Sequence, residues 1–217
     1  MDLVSLFELA LPAMLKGTAY TLFFAITSMV LGLALGALIA LVRVLEVPIL
    51  AQIARLYVSA FRGTPLLVQV FIVYYGLPSV GIEFSPVTAG ILSLTLNVAA
   101  YLSESLRGAV ISVPEGQWMA GKSLGLTRVQ TLRYVIGPQA LRSAVPSLSN
   151  SLISLIKDTS LVSVIAVTEL MLATKELIST TFQPFPLYIA AAGVYWVLSL
   201  AFEQVQRLLE KRLAFPN

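Results

Sequence analysis

The stretch GQWMAGKS, Gly116–Ser123, satisfies the phosphate-cradling pattern G-x-x-x-x-G-K-[ST] at every fixed position. If a strand delivered these glycines to a helix N-terminus, backbone N–H groups and the helix dipole would hold phosphates and the chain would be a nucleotide-binding α/β protein. No such strand is available, because Glu104–Arg142 contains no alternating β-branched run before Gly116. The segment reads as helix instead. Ser112 and Glu115 have capping-box spacing, Pro114 falls in the first turn, and Gly125 is placed to end the helix in the left-handed conformation. Lys122 then lies near a helix C-terminus. Thr127 and Gln130 repeat the capping-box spacing, starting a second helix that runs through VQTLRYVI to a stop at Gly137-Pro138. The phosphate-loop match is a coincidence of glycine spacing, and the segment is two short helices hinged at Gly125.

Composition sets the class. Of 217 residues, 58% are hydrophobic and 12% charged, and the mean hydropathy is +0.89, far from soluble averages. The chain is an integral membrane protein. With no cysteine and no histidine, disulfides, thiolate or imidazole metal sites and His-based triads are excluded. The 14 Lys and Arg residues are scattered without aromatic interleaving, so no nucleic-acid partner is expected. The N-terminus opens with acidic residues, and the apolar run after Lys16 is too long for a signal-peptide core, so no cleaved signal is expected.

A helix needs about 20 apolar residues to cross the hydrocarbon. Charge-free runs cover Thr18–Val42, Gly63–Ile82 and Phe84–Ser103, and two further runs are interrupted only by Lys157-Asp158 or entered through Pro184 and Pro186. The fold expected is all-α and polytopic, one membrane domain over 1–217 with five spans near 18–42, 63–82, 84–106, 143–168 and 187–208. Within the second, RGTP at Arg62–Pro65 reads as an extended entry followed by a helix start. All Lys and Arg except Lys16, Lys157 and Lys175 follow spans one, three and five, which places the N-terminus outside and the C-terminus in the cytoplasm. Leu3, Phe7 and Leu11, beside Asp2, Glu8 and Lys16, suit a short helix lying in the outer interface, or else a frayed terminus.

Polar residues inside spans are the candidate functional groups. Ser93 and Asn97 share one helix face, and Ser147, Ser151, Ser154 and Asp158 share another. An ionisable group at membrane depth costs several kcal/mol or more unless it is paired or lines a cavity. Asp158 is therefore either a ligand for a substrate ammonium or, with Lys157, an interfacial snorkelling pair or helix cap. Asn97 is either a cavity ligand or an interhelical hydrogen-bond partner. Trp118 and Met119, on a short helix outside the spans, are either interface anchors or, for Trp118, packed on the protein's own helices or lipid headgroups.

Between Met119 and Pro138 the text MAGKSLG, nine residues, then VIGP resembles the EAA loop of ABC importer permeases, written E-A-A-x-x-x-G-x₉-I-x-L-P. Ala120, Gly125 and Pro138 match in register, while Met119, Gly121, Val135 and Gly137 depart from it. FRGTPLLVQ, NVAAYLSESLRGAV and GPQALRSAVPSLSNSLISLIKDTSLVSVI also look like permeases for polar amino acids, so the resemblance runs from about Gly17 to Arg212.

The resemblance implies that the helix at 115–124, with Glu115, Trp118, Met119, Ala120, Gly121 and Gly125, couples to a separate ATP-hydrolysing subunit. No cofactor is then expected on this chain, ATP and Mg²⁺ being bound by that partner. Further implied partners are an extracytoplasmic solute-binding protein, a second permease subunit forming a homo- or heterodimer, membrane lipid, and an amino-acid substrate, with the cell inner membrane as location. Ser93, Asn97, Ser151 and Asp158, together with Leu67, become the candidate substrate path. Relatives often carry Glu where this chain has Ser151, which points away from a strongly cationic cargo and toward the cystine-type permeases. Two rival expectations are an ion-coupled secondary transporter or channel using Asp158, and a membrane-embedded NTPase built on Gly116–Ser123.

Overall fold

The computed structural model describes residues 3–213, with the side chains of 4–212. Helix α1 (Leu3–Val44) is continuous over 42 residues. At 1.5 Å per residue it is about 63 Å long, roughly twice the hydrocarbon thickness. A separate interfacial helix before Lys16 is thus not formed, and Asp2 and the Leu3 side chain lie outside what is described. The cause is packing on a different face: Leu6, Ala10 and Met14 are buried against Leu170, Leu187 and Ala191, while Phe7 and Leu11 point outward. A helix held along its length by two others has no reason to bend into the interface.

Helix α2 (Leu50–Gly63) buries Ala51, Ala54 and Val58. It meets α3 (Leu66–Phe71) at 107°. Thr64 is extended (φ −121°, ψ 147°) because the following Pro65 excludes the helical region for it. After Phe71 the chain continues as a π turn over Ile72–Gly76 and a 3₁₀ turn over Leu77–Val80. The extended entry and helix start expected at Arg62–Pro65 are thus formed, and the span expected at 63–82 follows as a 15-residue run, Leu66–Val80, that changes its winding twice.

Helix α4 (Pro86–Ile111) is capped by Ser85, whose hydroxyl accepts from the Thr88 N–H. It lies parallel to α1, since contacts advance together along both: Phe24 meets Gly90, Gly32 meets Val98, and Gly36 meets Leu102. The α1 face is the small-residue stripe Ser28, Gly32, Gly36, Ala40, which lets the backbones approach. A Cβ added at Gly36 would lie 2.9 Å from the Ala99 carbonyl oxygen.

Helix α5 (Glu115–Ser123) starts at Pro114 without a side-chain cap. The expected Ser112–Glu115 box does not form, because the Ser112 hydroxyl donates to the Ala109 carbonyl of the preceding turn. The end follows expectation. Gly125 has φ +74°, the Leu126 N–H donates to Gly121 and the Gly125 N–H to Lys122, the paired bonds of a Schellman cap. The second box also forms: α6 (Arg128–Thr131) begins with the Gln130 N–H bonding Thr127 Oγ1 and the Thr127 N–H bonding Gln130 Oε1.

No stop occurs at Gly137-Pro138. A π turn over Leu132–Ile136 leads directly into α7 (Gly137–Asp158), and this wider winding just before Pro138, which lacks an N–H, lets the helix pass through it. The expected span 143–168 is likewise divided. Past Asp158 the chain winds as a seven-residue 3₁₀ segment, Thr159–Ile165, ended by Ala166 at φ +60°.

Two helices complete the chain, α8 (Leu170–Thr181) and α9 (Pro184–Leu213). Glu169 caps α8 and is fully buried. It accepts from the Leu172 N–H at 2.9 Å, the Tyr195 hydroxyl at 2.8 Å and Thr21 Oγ1 at 3.4 Å, which ties α1, α8 and α9 together. Burial pushes its carboxyl above the usual glutamate range, against the hydrogen bonds that pull it down.

Among the described residues, α1, α4 and α9 are each long and apolar enough to cross a membrane, and the bent α2–α3 pair would make a fourth. Helix α7 falls short because Ser147, Asn150, Ser151, Ser154, Lys157 and Asp158 occupy it. That shortfall is the feature around which the site is built.

Candidate functional site

The polar face of α7 opens on a cavity of about 470 Å³, within the range of small-molecule sites. The bend between α2 and α3 contributes Thr64, Pro65 and Leu66, and α4 contributes Asn97, Val98, Tyr101 and Ser105. From α7 come Ser147, Asn150, Ser151, Ser154, Leu155 and Asp158. Helices α4 and α7 run antiparallel here. Ser105 and Ser147 share a hydrogen bond of 2.7 Å at one end, while Val98 and Leu155 belong to one apolar cluster nearer the middle.

Three of the sequence candidates, Asn97, Ser151 and Asp158, line this one space. Among the described residues the Asp158 carboxylate accepts no hydrogen bond, and the Ser151 hydroxyl donates to the Ser147 carbonyl of its own helix. Ser93 and Leu67 do not line it. Ser93 is fully buried and its hydroxyl donates to the Ala89 carbonyl at 2.8 Å. Leu67 sits half-buried in the first turn of α3, and its neighbour Leu66 faces the cavity instead.

Residues not singled out by their chemistry complete the site. Gln69 is 7% exposed and bonds both Thr64 and Asn97; its signal was a lone amide in the apolar run LLVQVFIV. Tyr101 stacks under the Arg62 guanidinium at 5.3 Å. At the Ser105 end, Glu104 pairs with Arg43 at 2.6 Å and with Arg107, so one carboxylate is shared by two guanidiniums and that end keeps a net positive charge.

The α5–α6 segment stands at the same end of the bundle as the end of α1, since Arg128 donates to the Val44 carbonyl at 2.9 Å. Of the two expectations for Trp118, packing on the protein's own helices is the one observed. Trp118 is half-buried, packed on the cluster of Ala109, Val113, Ile136, Ala140 and Ala144. Met119 (60%) and Leu124 (77%) are exposed apolar side chains, with Val129 of α6 a third, beside exposed Glu115, Ala120 and Lys122. Gly121 is buried because Thr131 occupies the space beside it: an added Cβ would lie 2.5 Å from the Thr131 methyl. Met119 thus removes the motif's charge, and Thr131 accounts for the missing second alanine.

A polar cavity between membrane helices, with a rigid helix pair projecting at one end, has the organisation of a transporter subunit. Residues 32–215 match the family model described as "Binding-protein-dependent transport system inner membrane component". The chain belongs to this family. The permease is 43% identical to the probable amino-acid ABC transporter permease protein YckA of Bacillus subtilis over 94% of its length and 90% of that protein's. It is equally 43% identical to the L-cystine transport system permease protein TcyB of the same organism, over 93% and 87%. The glutamine transport system permease protein GlnP of Escherichia coli is 37% identical over 94% of each chain.

Among solved structures, a crystal structure of an amino acid ABC transporter with histidines superposes with a TM-score of 0.92 at 34% identity, covering 98% of the permease and 99% of that chain. The MetNI methionine transporter in an inward-facing conformation shares the fold, with a TM-score of 0.76 at 18% identity over 99% and 100% of the two chains. The permease is an amino-acid ABC transporter subunit of the inner membrane.

Proposed function

We propose that this chain forms the membrane path of an importer for polar amino acids, with cystine as the foremost cargo. In this reading it crosses the membrane five times, α2–α3 counting once and α7 once, with the N-terminus outside. The parallel course of α1 and α4, and the antiparallel course of α4 and α7, support that count, since each requires the chain to return between them. The carrying observation is the cavity itself: Asn97 from α4 and Ser151 and Asp158 from the polar face of α7 converge there.

Asp158 meets the cargo ammonium, the serine and asparagine groups hold polar atoms, and Ser151, lacking a carboxylate, leaves the site less suited to arginine or lysine. A separate ATPase receives α5, with Met119 and Leu124 against it. Its closure on ATP moves α5 and opens the path toward an external binding protein, and hydrolysis resets it. A second permease subunit completes the path beside the polar face of α7, which no single chain covers. Cystine is favoured because TcyB is among the most similar relatives.

The test is uptake by liposomes holding the permease with its ATPase and binding protein, using labelled L-cystine, L-glutamine and L-arginine. ATP-dependent uptake of cystine, competed weakly or not at all by arginine, supports the assignment. Uptake that needs no ATPase, or that prefers arginine, overturns it.

A further inference from the structure

The polar order around the α2–α3 bend is forced by two backbone carbonyls. The Gln69 amide nitrogen lies 2.9 Å from the Phe61 carbonyl oxygen and 3.2 Å from that of Thr64, with Thr64 Oγ1 at 2.9 Å. Carbonyl oxygens only accept, so Nε2 must occupy that side and Oε1 must face the other way. On that other side is Asn97, at 3.0 Å. Because Oε1 also only accepts, Asn97 must present Nδ2 to it, and the same Nδ2 is 3.4 Å from the Phe61 carbonyl. Neither amide can be turned around without setting oxygen against oxygen.

Asn97 Oδ1 is what remains. Among the described residues it accepts no hydrogen bond, and it is not one of the enclosed unpartnered oxygens, which are Ser28 Oγ and Thr95 Oγ1. Asn97 lines the cavity. Its oxygen is therefore the atom left open to that space.

We propose that Gln69 is a positioning residue for cargo recognition: it locks the Asn97 side chain with the oxygen toward the cavity. The wall beside α3 then accepts a hydrogen bond from an N–H of the cargo, an ammonium above all, and repels a carboxylate. The inference rests on the reading of the cavity as the amino-acid site and adds to it the residue that sets its polarity. Gln69 touches no cargo itself and acts through Asn97.

The test is equilibrium binding to the purified permease–ATPase complex. The probes are L-cystine and its counterpart without amino groups, 3,3′-dithiodipropionic acid, with L-glutamine and glutaramic acid as a second pair. Gln69→Met removes the lock and should weaken binding of the amino acid about tenfold, the scale of one hydrogen bond to a charged group. The counterpart without the amine should change by less than about twofold, having no ammonium to lose.

In the double variant Gln69→Met/Asn97→Thr, the threonine hydroxyl donates to the Ser93 carbonyl of its own helix and shows its lone pairs to the cavity whatever occupies position 69. Amino-acid binding should recover to within about threefold of wild type. Equal weakening of both members of a pair, or no recovery in the double variant, marks a merely structural role and overturns the proposal. If Gln69→Met does not assemble, Gln69→Glu decides: the protonated carboxyl that this buried position favours donates its O–H to the Phe61 carbonyl and accepts from Asn97 Nδ2 with its other oxygen, so preference for the amine-bearing probe should persist, and its loss overturns the proposal. If neither amino acid binds the wild-type complex, the cavity reading falls and this inference with it. Binding to wild type with unaltered preference in Gln69→Met removes the inference alone.

Discussion

Helix α4 has two neighbours and meets them in opposite ways. Toward α1 it runs parallel in a seam of small residues, so close that a Cβ at Gly36 would touch the Ala99 carbonyl at 2.9 Å. Toward α7 it runs antiparallel and stands off, leaving a polar cavity of about 470 Å³. Both faces carry hydroxyls, yet those hydroxyls do different things. In the seam, Ser28 and Thr95 are enclosed without partners. In the cleft, Asn97 and Asp158 keep acceptor atoms open to the cavity. Where the surrounding solvent is lipid, small residues bring helices together and longer polar ones hold a space between them.

The largest effect should come from filling the seam. Gly36→Leu places a side chain where backbone already stands, and overpacking of this kind costs about 1–3 kcal/mol or more. Thermal melting of the detergent-solubilised complex should show a drop of several degrees or no assembled complex at all. A variant that melts like wild type would mean the two helices can part freely, and the seam would lose its status as the fixed side of α4.

Next in size is the cleft. Asp158→Asn should leave the complex assembled and lower amino-acid uptake about 10- to 100-fold, since a charge-assisted hydrogen bond is about twice as strong as a neutral one. Melting separates the two sides here: the Gly36 variant moves stability, whereas the Asp158 variant moves transport with stability within about 1 kcal/mol of wild type. Reversed outcomes would exchange the roles assigned to the two faces.

This division was only partly legible in the sequence. Hydropathy gave the membrane class and the long helices α1, α4 and α9, because each is a sustained apolar run. The α5 end and the α6 cap were readable from Gly125 and from Thr127 with Gln130, where local chemistry decides the backbone. Continuity through Lys16 and through Gly137-Pro138 was not, since tertiary packing on Leu170 and a π turn at Leu132–Ile136 override local stop signals. The same limit applies to Ser93 and Asn97. Four residues apart, they share a stripe, but they differ by one helical turn in height and about 40° in direction, enough for Asn97 to line the cavity while Ser93 is enclosed. Gln69 was missed for a related reason: its partners, Phe61 and Asn97, come together only after a 107° bend.

A third close approach tests whether the seam's logic extends beyond the membrane helices. Gly121→Ala restores the second alanine of the permease motif, yet its Cβ would lie 2.5 Å from the Thr131 methyl and 2.7 Å from the Thr131 hydroxyl. It should weaken coupling between ATP hydrolysis and transport by about 1–3 kcal/mol, through displacement of α5 from α6. Adding Thr131→Ala removes both clashing atoms and should restore coupling. If the single change is harmless, or the double change is worse than the single, Thr131 is not what keeps residue 121 a glycine.

The smallest effect expected is also the sharpest on the two faces of α4. Ser93→Ala removes a hydroxyl whose only bond is to the Ala89 carbonyl one turn earlier, and which is closed off from the cavity. Such a back-bond contributes little to a helix that already satisfies that carbonyl, so stability should change by less than about 1 kcal/mol. The apparent KM for amino-acid uptake should stay within about twofold. Asn97→Ala, four residues on, loses both the bond to Gln69 and the acceptor facing the cavity, and should raise the KM by tenfold or more, on the scale of about 1.5–3 kcal/mol for a hydrogen bond to a charged group. The contrast depends on geometry alone, since the two residues share a helix, a burial class and a polar character. Should Ser93→Ala raise the KM as much as Asn97→Ala, the cargo must reach one helical turn beyond Asn97, and the enclosure around Ser93 would have to open during transport.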